Sequence, residues 1–151
     1  MNRSKALALA LIALALPPVA VPAASAGDAA EVVEHDGTWE LAYGLVYYRV
    51  FGKVKNVSKE PLRFVKLELE LLDKDGKPVL ARAGYNQKAE ALGDQETEGY
   101  VETQSFEERL AKVQPIAPGE TDLFRIGLAK DDIPKKPKFT TYRIRVVEVP
   151  K

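Results

Sequence analysis

Apolar and polar residues alternate with period two along four separate stretches of this chain. In residues 45–57, Tyr48, Val50, Gly52 and Val54 share one face, and Arg49, Phe51, Lys53 and Lys55 share the other. Residues 63–72 alternate more cleanly, with Val65, Leu67, Leu69 and Leu71 set against Lys66, Glu68 and Glu70. Residues 121–128 place Phe124, Ile126 and Leu128 together, and residues 140–149 place Tyr142, Ile144 and Val146 opposite Arg143 and Arg145. A period of two is the signature of a strand with one face in a core and one in water. The first two stretches are joined by a polar connection containing Pro61, which predicts that they are adjacent antiparallel strands.

Turn chemistry fills in the rest. Val32-Val33 can open a first strand, and residues 39–42 resume strand character. Between them, His35-Asp36-Gly37 reads as a tight hairpin turn, because Asp-Gly accepts positive φ. Gly44 is expected at a bulge or corner. Asp73-Lys74-Asp75-Gly76-Lys77 is a second turn, leading to a strand from Pro78 to Arg82, and Pro118-Gly119 precedes the strand at 121–128. Half-buried strands need a second layer. The expected fold is therefore all-β, an immunoglobulin-like antiparallel β-sandwich of six or seven strands.

Residues 84–114 interrupt that pattern as one long insertion. Ser105-Phe106-Glu107-Glu108 is a capping box, followed by Phe106, Leu110 and Val113 at helical spacing. One short helix over 106–112 is expected, and no other. The preceding residues, 85–103, are polar and acidic, so they should be less ordered than the strands or ordered by the helix that follows. Loops of this length in compact domains are often functional. Tyr85, Asp94, Glu96, Glu98 and Tyr100 are the candidate binding residues of this loop, spanning 84–104.

The N-terminus has a different character. Arg3 and Lys5 precede an apolar run over 6–16, Pro17-Pro18 ends it, and Ala24-Ser25-Ala26 offers a small-residue cleavage site. That layout predicts a signal peptide over 1–26, leaving 27–151 as a single β-sandwich domain. The apolar run is too short for a bilayer span, which needs about 20 residues. With no cysteine there is no disulfide, no lipid-bearing cysteine and no thiolate metal site. The expected location is the periplasm or the medium, as a soluble protein with no membrane span after cleavage. Twenty-two basic residues balance twenty-two acidic ones, giving no reason to expect nucleic acid or an anionic membrane surface as a partner.

Catalytic chemistry has little to draw on. His35, the one histidine, falls in a predicted turn, while Ser58 and Ser105 already have turn and cap roles. No nucleophile–base pair, cofactor motif or zinc set stands out. Asp73-Lys74-Asp75-Gly76 begins like a calcium loop but lacks the later acidic ligands, and reads as a hairpin turn. Trp39, Tyr47, Tyr85 and Tyr100 could form a sugar-stacking face, although cross-strand packing suits Trp39 and Tyr47 better. Lys130, Lys135, Lys136 and Lys138 read as a solvated connection between strands.

The pattern Gly52-x-Val54-x-Asn56-x-Ser58, then Val65 to Asp73 with Gly76, then Pro118-Gly119-Glu120 before Phe124, resembles the FxLYD family. At the name-giving motif this chain has Leu69-Glu70-Leu71-Leu72-Asp73, with leucine in place of both Phe and Tyr. The resemblance implies a small immunoglobulin-like bacterial envelope domain; its motifs are turn and core positions. Asn56-Val57-Ser58 is also a glycosylation sequon, but a turn closed by side-chain hydrogen bonds is the expected role. Together these readings predict an exported, non-catalytic module that binds another envelope protein or serves a structural role. The alternative is a calcium- or carbohydrate-binding module using the 84–104 loop. No cofactor is expected, and the oligomeric state is open.

Overall fold

A computed structural model describes residues 29–93 and 105–150. It contains six strands: β1 (Ala30–Ala42), β2 (Leu45–Asn56), β3 (Lys66–Leu72), β4 (Pro78–Tyr85), β5 (Thr121–Ala129) and β6 (Thr141–Glu148). They form two three-stranded antiparallel sheets, ordered β1-β2-β5 and β4-β3-β6. In immunoglobulin terms these are strands A-B-E and C′-C-F, so the all-β sandwich is the observed architecture.

β2 and β3 are not neighbours. β2 pairs with β1 and β5, whereas β3 pairs with β4 and β6, so their connection crosses from one sheet to the other. Asn56 shapes that crossing. Its side chain is fully buried; Nδ2 donates to the carbonyls of Glu60 (2.7 Å) and Ile116 (2.9 Å), and Oδ1 accepts from Ser58 N (2.9 Å) and Ser58 Oγ (2.7 Å). A buried amide with every group engaged fixes the corner and closes the sequon position to modification in the folded state. Leu62 and Ile116 then exchange backbone bonds, holding the crossing against the segment before β5.

The core forms where the two inner faces meet. Val50, Val54, Val65, Leu67, Leu69, Leu71, Phe124, Ile126, Leu128, Ile144 and Val146 are all buried in one cluster, with Tyr142 packed at its border. The predicted phase of every alternating strand is therefore correct. Leu62 and Ile116 join this cluster from outside the strands. One outward position departs from expectation. Glu70 is only 6% exposed, because Arg143 Nε donates to its Oε2 at 2.7 Å and the Arg145 guanidinium lies 3.8 Å from Oε1. Arg145 also binds Glu68, so the outer face of the second sheet is a ladder of paired charges.

Three further corrections concern turns and the insertion. His35, Asp36 and Gly37 lie within β1, opposite Gly52, Phe51 and Val50 of β2. Gly37 is there for space: a Cβ would come within 2.6 Å of the Tyr48 hydroxyl and 2.8 Å of the Tyr142 ring. The hairpin turn is instead Tyr43-Gly44, with φ of 53° and 77°. Positive φ at both central residues is the primed turn geometry of two-residue hairpins.

The insertion starts later than predicted, since Gly84 and Tyr85 belong to β4. Its first part is a 3₁₀ turn, Gln87–Leu92, that buries Ala89 and Leu92. A further 3₁₀ turn, Lys130–Asp132, follows β5, so the predicted helix has company. That helix is α1 (Phe106–Leu110), and both hydrogen bonds of the Ser105/Glu108 capping box are formed. Phe64, Ala89 and Leu92 make a second small core, against which Tyr85, Leu110 and Val113 pack. Residues 85–93 are thus ordered by apolar packing, supplied on one side by Leu110 and Val113 of the expected helical segment and on the other by Phe64.

Candidate functional site

Two exposed surfaces stand out, both built on the β1–β2 hairpin. The first is a shallow recess where the outer face of the first sheet meets the segment after β4. Phe51 and Leu123 form its apolar part; each is outward-facing and close to half exposed. Charged groups ring it: Glu34 and Lys53, paired at 2.9 Å, with Arg125 and Glu90. Tyr85 and Gln87 complete the wall. Gly52 in its floor is required by the bulge of β1 near Val33, since a Cβ there would sit 2.0 Å from the Glu34 carbonyl oxygen.

The wall of this recess is pinned to the sandwich through Asn86, another fully buried amide. Its Oδ1 accepts from Val65 N (2.8 Å) and its Nδ2 donates to Asp122 Oδ2 (2.7 Å), which also accepts from Lys88 N (2.9 Å). Lys88 in turn pairs with Glu120, and this hydrogen bond holds the Glu120 carboxyl below the usual carboxylate range. Tyr85 stacks edge-on against Phe64 at 5.5 Å, with the Lys66 ammonium 5.7 Å from its ring centre. Of the predicted binding residues, Tyr85 is therefore a wall residue on a strand rather than a loop tip. Asp94, Glu96, Glu98 and Tyr100 lie outside the described residues.

The second surface is the far end of the same hairpin. β5 pairs with β2 only as far as Ala129 opposite Tyr47, so residues 41–46 project beyond the sheet. Their side chains are apolar and open: Leu41 is 72% exposed and Tyr43 is 98% exposed, with Leu45 and Val46 also exposed. An aromatic cluster forms the base of the projection. Trp39 contacts Tyr48 (5.3 Å between ring centres) and Phe139 (6.0 Å), and Tyr48 contacts Phe139 (5.1 Å) and Tyr142 (6.1 Å). Burial, reinforced by the Tyr48 and Asp36 side chains, pushes the Tyr142 hydroxyl up to about 12.

The residues weighed for chemistry are engaged elsewhere. His35 Nδ1 lies 2.9 Å from the Tyr142 hydroxyl, Ser58 belongs to the Asn56 corner, and Ser105 caps α1. Asp73 Oδ1 accepts from the backbone N–H groups of Lys77 (2.9 Å) and Asp75 (2.8 Å), and these bonds, Lys77 first, lower its pKa. Gly76 completes that turn at φ 75°. Among the described residues, no group of three or more His, Asp or Glu side chains is placed to hold a metal ion. Nor is any helix among them long and apolar enough to cross a membrane.

Neither surface was identified by reading the sequence. Phe51 sits among Arg49, Lys53 and Lys55 on the polar face, and that break in polarity was its available signal. For the tip, the signal was Tyr43-Gly44 flanked symmetrically by Leu41-Ala42 and Leu45-Val46.

Over residues 23–146 the chain matches the family described as "Protein of unknown function (DUF3426)", and it belongs to that family. No curated protein and no solved structure matches it.

Proposed function

We propose that this protein is a non-catalytic binding module of the bacterial envelope, whose partner is another protein seated in the recess around Phe51 and Leu123. The observation that carries this reading is the contrast between that recess and the surface opposite. Two large apolar side chains stand exposed within a ring of charges of both signs, beside a wall pinned by the buried Asn86 amide. An apolar centre with a polar rim is the anatomy of a protein interface. Export is supported by the N-terminal pattern of Arg3 and Lys5, an apolar run and a small-residue site. A closer likeness to FxLYD domains is supported by the roles of the matching residues. Asn56 and Ser58 close a corner, Asp73 and Gly76 a turn, and Phe124 sits in the core.

A photo-crosslinking side chain placed at position 51 or 123 tests the reading directly. In envelope extract it should give a discrete product that disappears when Arg125 is changed to Glu. The same probe at position 68, on the opposite outer face, should give none. Equal products from both faces, or none from either, would sink the proposal. A melting temperature raised by calcium or a polysaccharide, with no crosslinked product, would replace a protein partner with that ligand.

A further inference from the structure

We propose that the projecting end of the β1–β2 hairpin docks on an anionic lipid bilayer, with its apolar tip inserted and the adjoining lysines against the headgroups. The surface is distinct from the recess above, so this inference does not depend on the protein-binding reading.

Three observations carry it. The first is apolar exposure in one place: Leu41, Tyr43, Leu45 and Val46 are all exposed on a projection six residues long, above a half-exposed Trp39. Water is a poor solvent for such a group of side chains, and soluble surfaces keep large apolar patches for a purpose. The second is backbone conformation. Tyr43 holds φ at 53° in a position that favours Asn, Asp or Gly, yet its ring is 98% exposed and gains almost no contact in return. A bulky residue kept in that conformation without packing is kept for its surface. Tyrosine and tryptophan are also the side chains enriched where a bilayer meets water.

The third is charge. The Lys130–Asp132 turn begins directly after Ala129, which pairs with Tyr47 at the root of the projection. The connection returns at Phe139, against Trp39 and Tyr48, so Lys130, Lys135, Lys136 and Lys138 are tethered beside the tip. The β3–β4 turn lies at the same end, because Thr140 N donates to the Leu72 carbonyl (2.8 Å). Counting Lys74, Lys77 and Arg49 with those lysines gives seven cations. Asp73, Asp75, Asp131, Asp132 and Glu40 give five carboxylates; Glu40 and Arg49 pair at 2.9 Å, leaving six lysines against four aspartates. An apolar wedge beside an excess of lysine matches the two components of a peripheral membrane anchor, each weak alone and effective together.

Trp39 is the only tryptophan in the sequence, so its fluorescence reports on the hairpin even in the full chain with its apolar N-terminus. Purified protein is titrated with vesicles of 7:3 phosphatidylcholine to phosphatidylglycerol, with and without brominated acyl chains. The emission should shift to the blue and be quenched by the brominated lipid. The double variant Tyr43→Asn/Leu45→Thr, whose Asn-Gly turn suits the hairpin, should partition at least tenfold more weakly while its melting temperature holds. The triple variant Lys135→Gln/Lys136→Gln/Lys138→Gln should lose affinity severalfold on these vesicles and be unchanged on pure phosphatidylcholine. Absence of quenching at low salt would overturn the proposal, as would quenching undiminished in the double variant. So would a dimer or a protein complex that forms through the tip without vesicles and is lost in that variant.

Discussion

The β1–β2 hairpin has one sequence pattern and two environments. In its lower half β2 pairs with β5 and the hairpin's inner face packs on the second sheet, so the inward residues Val50 and Val54 are wholly buried. In its upper half the inward face continues past Trp39, which still meets Phe139, to Leu41 and Val46, where no facing layer is present and the side chains stand in water. The backbone ladder runs from Ala30 opposite Asn56 to Ala42 opposite Leu45, interrupted only by the bulge near Val33 in the lower half. Hydrogen bonding therefore extends the hairpin, while burial stops at the level of Ala129. Strand pairing needs only a partner strand, whereas burial needs a second surface, and the upper half is left to find one elsewhere.

The same contrast explains what could be read in advance. Inward positions of β2, β3, β5 and β6 were legible because a core on one side and water on the other imprint a period of two. The hairpin turn was misplaced because Asp36-Gly37 satisfies the chemistry of a turn while serving another purpose, room for the Tyr48 and Tyr142 rings. Tyr43 hid the true turn, since tyrosine seldom takes positive φ. At the root of the insertion the packing of the helix was legible, but the 3₁₀ turn was not, because it rests on the small contacts of Ala89 and Leu92 and on one buried amide, Asn86. None of these repeats along the chain, so periodicity is silent about them. The acidic residues Asp94, Glu96 and Glu98, the most visible candidates in the sequence, fall outside the described residues.

The largest expected effect is in the core that the lower half of the hairpin covers. Leu69 is fully buried between the sheets, so Leu69→Ala should cost about 2–5 kcal/mol in denaturant unfolding. A cost below about 0.5 kcal/mol, typical of surface sites, would mean that the two halves of the hairpin do not differ as described. Next is the corner where the hairpin leaves its sheet. Asn56→Ala removes a buried amide that makes four hydrogen bonds and should cost about 1–3 kcal/mol. Asn56→Asp should be destabilising as well, because two donated bonds are lost and a carboxylate is buried beside the Glu60 and Ile116 carbonyls.

The boundary between the halves can be probed by pH. The Tyr142 hydroxyl sits under the hairpin beside His35 and Tyr48, and its folded pKa is raised to about 12 from 10. A raised folded pKa contributes stability that is fully present below pH 10 and is lost as the pH rises through about 12. In that window the unfolded chain releases a proton that the folded protein retains. Alkaline unfolding should therefore steepen between pH 10 and 12, and Tyr142→Phe should flatten it. If phenolate absorbance shows every tyrosine ionising near 10 before unfolding, the aromatic base of the projection is open to water.

The smallest effect is opposite in sign and tests the upper half itself. Tyr43→Asn places at the first turn position a residue that tolerates positive φ, followed by the Gly44 already there. Because the tyrosine ring is 98% exposed, little packing is lost, and relief of the left-handed conformation should stabilise the protein by about 1 kcal/mol. That gain corresponds to a rise of a few degrees in melting temperature. A residue whose removal improves stability and weakens vesicle binding would be retained for docking at a cost to the fold, the trade expected at functional positions. A fall in melting temperature on Tyr43→Asn would mean instead that the ring packs on Leu41 or Leu45 in solution. The tip would then be a folded cap with its own small core, and the two halves of the hairpin would be alike.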